Sequence, residues 1–176
     1  GVVQGVNLFF LHNALVFPHV YPDLDAAGQV RQIAAYCKAA LQLLCDRGTK
    51  PAVVITNDWF TGLAAPYARH GHFGRHFGQT EFMHIAHNLD PTYEGRMYPR
   101  PEQGALGWLH GLPEHLLVNY GWADVIVNPT LAALLSSDTW ATVSLSYRDQ
   151  LLSESPLRPQ LRLAPMPFAH PNGVPV

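Results

Sequence analysis

Charge is scarce in this sequence. Only 14% of its residues are Asp, Glu, Lys or Arg, with 11 basic against 13 acidic, for a net charge of −2. That removes the basic face that nucleic-acid binding requires. Long apolar runs are missing too: none approaches the ~18 residues that read as a membrane span. There are two cysteines, Cys37 and Cys45. They lie on what reads as one helix, ~12 Å apart at the helical rise per residue, too far to bridge, which points to a reducing compartment. No glycine-rich phosphate loop of standard spacing is present, which argues against a dinucleotide cofactor. Ser144-Leu145-Ser146 lacks the glycines of a nucleophile elbow. The opening residues carry no basic n-region and no cleavage site, so no signal peptide is expected. A first residue other than Met suggests a piece of a longer chain.

What is present suits one compact domain: 176 residues, 48% of them hydrophobic, enough for a sizeable core. Val6 to His12 reads as a buried strand. Asp25 can cap a helix running to Arg47 and stopped by Gly48, with apolar residues at Val30, Ile33, Ala34, Cys37 and Leu41. Ala52 to Ile55 is a second strand. Trp59 to Arg69 is a helix that tolerates Pro66 only with a kink or a late start. Thr80 to His87 is a third strand, and Pro91 to Gly111 a long functional loop. Short helices follow at Pro113 to Val118 and from Thr130. A fourth strand spans Asp138 to Leu145, and Ser146 caps a helix to about Leu152. Leu161 to Leu163 is a candidate fifth strand, and Pro165 to Val176 reads as linker. Strands alternating with helices predict an α/β fold, a Rossmann-like and mostly parallel sheet with helices on both faces.

In such sheets ligands bind at the carboxyl ends of strands. Three strand ends carry polar residues: Asn57-Asp58, His87-Asn88, and Ser144 with Ser146. Asp58 could equally cap the Trp59 helix, and His87 alone would read as a hydrogen-bonded core histidine. The histidines at 70, 72 and 76 have no thiolate or carboxylate nearby, so no metal site is expected.

Four ordered segments resemble the glycogen and starch synthase family. Val53 to Arg69 is similar to the family's His-x-His-Asp-Trp strand and following helix. MHIAHNLDPTYEG resembles its His-Asn-Leu and Tyr-x-Gly run. Leu134 to Leu152 resembles its Val-Ser-Pro-[Ser/Thr]-Tyr segment, and FAHPNGVPV its Asn-Gly hinge. Three departures stand out. Ile55-Thr56-Asn57 replaces the residues before Asp-Trp. Two extra residues separate His-Asn-Leu from Tyr-x-Gly, and Pro175 stands where the hinge has Asp.

The resemblance implies one half of a GT-B fold. Residues 1–176 would be part of the N-terminal, acceptor-side domain of a retaining glucosyltransferase, with the C-terminal nucleotide-binding domain absent. It implies a nucleotide-diphosphoglucose donor (ADP-glucose or UDP-glucose), an α-1,4-glucan acceptor, no further cofactor, and a cytoplasmic location, or a plastid in a starch-making organism. Carried over, His87 is the catalytic histidine at the donor glucose, with Asp58 and Asn88 beside it. Tyr93 and Gly95 line the acceptor side, and Asn172 and Gly173 form the hinge. A non-catalytic glucan-binding or regulatory domain, or another GT-B glycosyltransferase, is the rival reading.

Overall fold

The computed structural model describes residues 2–3, 5–18, 23–71, 73–90, 95–118 and 125–171. Two short strands, β1 (Val2–Val3) and β2 (Val6–Asn7), pair antiparallel. The main body begins with α1 (Ala26–Asp46), which starts where expected because the Asp25 carboxylate accepts from Gly28 N–H at 2.8 Å. Gly48, at φ +63°, ends it. Next come β3 (Val53–Asn57), a 3-10 turn (Trp59–Thr61), α2 (Ala64–His70) and β4 (Glu81–Ala86). Three short helices, α3 (Gly107–His110), α4 (Glu114–Leu117) and α5 (Pro129–Ser136), lead to β5 (Thr139–Thr142). The chain then runs through α6 (Leu145–Glu154) and α7 (Arg158–Leu161) to β6 (Phe168–Ala169).

The sheet has the order β3-β4-β5-β6 and every pair is parallel. Strands therefore follow one another in sequence order across it. Crossovers between parallel strands are right-handed, so steps that all run in one direction bring their helices to one face. Burial agrees. On β4, Phe82, His84 and Ala86 are buried, in register with Thr56 of β3 and Trp140 and Thr142 of β5. They meet two apolar clusters, one built on α1 and α2 and the other on Leu134, Leu151, Leu157 and Leu161. No described helix covers the opposite face at Val53, Ile55 or Phe168, which stay 48%, 56% and 42% exposed.

Several local expectations need correction. Val6 to His12 is not a buried strand: only Val6–Asn7 pairs, outside the main sheet, and Phe10 is 85% exposed. A run this apolar needs a sheet position covered on both sides, and no described residue supplies one. The Trp59 to Arg69 helix divides into the 3-10 turn and α2, so that Pro66 falls in the first turn of α2, where its missing N–H costs nothing. Leu161 to Leu163 is not a strand, since Leu161 closes α7. The last strand is Phe168–Ala169, inside the supposed linker and kept short by flanking prolines that cannot donate to a ladder. Ser144, not Ser146, caps α6, accepting from Tyr147 N–H at 3.1 Å.

Candidate active site

The register places Asn57 beside Ile85, and Ala86 beside Thr142. The carboxyl ends of β3, β4 and β5 therefore share one edge, and Asp58, His87-Asn88 and Ser144 stand just beyond it. Asp58 N–H continues the ladder to Ile85 C=O at 3.0 Å. Its backbone then turns to φ 52°, ψ −174°, a region that is essentially glycine's and costs a side-chain-bearing residue about 1–3 kcal/mol. The turn carries its carboxylate across to β4, where Oδ1 accepts from His87 N–H at 2.8 Å. Asp58 makes no side-chain cap to the Trp59 turn.

That bond is the first of three that fix residues 87–90. Leu89 N–H donates to the Tyr147 hydroxyl at 2.7 Å, and Asp90 N–H to Asn88 Oδ1 at 2.7 Å. Tyr147 O–H in turn donates to Asn88 Oδ1 at 3.4 Å. The loop after β4 is thus clamped from β3 on one side and from α6 on the other. The exposed His87 ring lies with Nε2 3.2 Å from Asn57 Oδ1.

Beside the loop opens a crevice of about 560 Å³, within the range of small-molecule sites. Asn88 and Asp90 form one wall, Tyr147, Gln150 and Glu154 of α6 the other, and Leu151 lies between them. Among the described residues, no lysine or arginine lines it. Amides, carboxylates and a phenol can each bond a hydroxyl. Burial, together with the Asp90 and Asp58 carboxylates, raises the Tyr147 phenol above its ordinary pKa despite the Leu89 amide, so it remains a donor.

Under this edge lies a buried polar pair. His84 Nδ1 is 2.9 Å from Thr56 Oγ1, and Nε2 has no partner among the described residues. Burial, and secondarily the His87 charge, drives the His84 pKa down to about 3, so the ring is neutral. Cys37 is buried in the α1 core, its thiol pushed up to about 12 by desolvation, which leaves it inert.

Asp58, His87 and Asn88 are therefore brought together. Gly95 serves differently: at φ +78° it packs against Trp59, and any Cβ there would collide with the indole. Tyr93, Asn172 and Gly173 lie outside the described residues. The sequence reading missed Tyr147, Gln150 and Glu154. The signal was available, since a Ser N-cap at the end of β5 puts the residue three positions on in the first turn of α6.

Residues 1–162 match the family described as the starch synthase catalytic domain. The chain belongs to that family. Its relatives include a glycogen synthase of Exiguobacterium sibiricum, 30% identical over 157 residues, covering 85% of this chain and 30% of that protein. Glycogen synthase 2 of Geobacter sulfurreducens is 27% identical over 160 residues, covering 87% and 31%. Among solved structures, the catalytic domain of Arabidopsis thaliana Starch Synthase IV, bound to ADP and acarbose, superposes with a TM-score of 0.66 at 22% identity, covering 80% of this chain and 29% of that one. This starch synthase family chain thus spans about three tenths of the length of the relatives it matches.

Proposed function

We propose that this chain is part of the N-terminal, acceptor-side domain of a glycogen or starch synthase. The whole enzyme would transfer glucose from a nucleotide-diphosphoglucose to the non-reducing end of an α-1,4-glucan, with retention. The observation that carries the reading is the clamped 87–90 loop on the carboxyl edge of the sheet, in a chain of this family.

Glucosyl transfer with retention passes through an oxocarbenium-like state as a diphosphate leaves. The catalyst must hold the sugar in register and place fixed dipoles where charge develops. The His87 imidazole, the Asn88 amide and the carbonyls at the end of β4 supply fixed polar groups on a loop that Asp58 and Tyr147 hold in place. The hydroxyl-bonding crevice beside them suits an uncharged saccharide. Among the described residues its walls hold no lysine or arginine for the departing diphosphate, and a second, nucleotide-binding domain would supply such cations. Asn172 and Gly173 would lie at the hinge to that domain, and Tyr93 and Gly95 toward the acceptor.

The test is His87→Ala in the full-length enzyme. Turnover should fall ~10²-fold or more, the scale of losing one preorganised transition-state partner. Unchanged turnover in a folded variant removes His87 from the site. The 176 residues alone should transfer no glucose, and measurable transfer would refute the half-site.

A further inference from the structure

The hydrogen bonds around Asn88 decide what that side chain can offer a ligand. Its Oδ1 lies 2.7 Å from Asp90 N and 3.4 Å from the Tyr147 hydroxyl. A backbone N–H only donates, so the atom facing Asp90 must be the amide oxygen, and the side chain cannot be flipped. With Oδ1 engaged twice, the group left for the crevice is the Nδ2 amine, which meets no acceptor among the described residues. Tyr147 enforces this arrangement. The Leu89 N–H occupies a lone pair of its hydroxyl, which leaves the phenolic proton for Asn88. The phenol keeps that proton because burial and nearby carboxylates disfavour ionisation. The ring itself is anchored where Ser144 Oγ caps Tyr147 N–H.

We propose that Tyr147 is a positioning residue that holds Asn88 as a hydrogen-bond donor toward an oxygen of a bound saccharide. The saccharide belongs to the glucosyltransferase reading above, on which this proposal rests. A donor there selects a ring, hydroxyl or glycosidic oxygen, and rejects ligand groups that can only donate.

Tyr147→Phe keeps the ring and removes only the O–H. In the full-length enzyme kcat/KM for glucosyl transfer should drop ~3- to 10-fold, the scale of one neutral hydrogen bond, with the change mainly in kcat. Asn88→Ala should cost more. The double variant should lose less than the product of the two single losses, because part of what the Tyr147 hydroxyl does runs through Asn88 and the rest through Leu89 N–H. Asn88→Asp, which puts an acceptor where a donor belongs, should be at least as impaired as Asn88→Ala. Wild-type kinetics in Tyr147→Phe, or losses that multiply in the double variant, overturn the proposal. Should the wild-type enzyme transfer no glucose, the transferase reading fails separately. The positioning is then judged from the Asn88 side-chain amide resonances of this chain: they move on Tyr147→Phe if the bond exists, and their staying put refutes it.

Discussion

The buried His84 ties the stability of the domain to pH. In the unfolded chain its imidazole titrates near 6.5, whereas in the fold burial lowers that to about 3. Below pH 6.5 the unfolded chain therefore takes up a proton that the folded one refuses. The stabilising contribution is fully present above the unfolded value and is lost as pH falls toward the folded one. Taking the two values 6.5 and 3, acidification from about pH 7.5 to about pH 5 removes about 2 kcal/mol. Raising the folded value by a whole unit changes that loss by less than about 0.1 kcal/mol, because the ring is still almost wholly neutral at pH 5. Urea denaturation at the two pH values, on the wild type and on His84→Phe, isolates the effect, since every other titrating group is common to both. Phe fills similar volume without the orphaned Nε2. The stability difference between the proteins should shift toward the variant by about 2 kcal/mol at the lower pH. Equal pH dependence in both would refute the assignment of a neutral, sequestered ring, and His84→Leu checks that the result is not peculiar to Phe.

Two further substitutions probe the site's scaffold. Asp58→Ala should destabilise the fold by about 1–2 kcal/mol through loss of the charge-assisted bond to His87 N–H, while Asp58→Asn, which keeps an acceptor oxygen, should recover much of it; thermal melts that rank the two equally would show that the bond is idle. Gly95→Ala combines a positive φ with a collision against Trp59 and should cost more than about 1 kcal/mol. An unchanged melting temperature would mean that the loop does not seat on the indole.

The elements that could be read from the sequence were those whose signals are local. α1 has a capping Asp25, a helical stripe and a terminating Gly48, and its bounds came within a residue. β4 was legible because its apolar run stops abruptly at His87. Val6 to His12 was misread because its apolarity reflects what it would pack against, and that is not among the described residues. β6 was hidden by its prolines, and its place depends on pairing with β5. At the site, strand ends could be foreseen to converge, since parallel strands share an edge. That Asp58 reaches a backbone amide of the next strand depends on the register between strands and on a strained φ, neither of which is written in residue spacing.

The side of the sheet that no described helix covers bears on how the 176-residue chain would behave in a test tube. Val53, Ile55 and Phe168 leave greasy ground open to water on a β-surface whose outermost strand, β3, has no hydrogen-bonded neighbour beyond it in the described sheet. Such ground recruits hydrophobic dyes and sticks to itself. Expressed as these 176 residues, the chain should clump as its concentration rises, and polar replacements at Val53 and Ile55 should curb the clumping without disturbing the hydrogen bonds around Asn88.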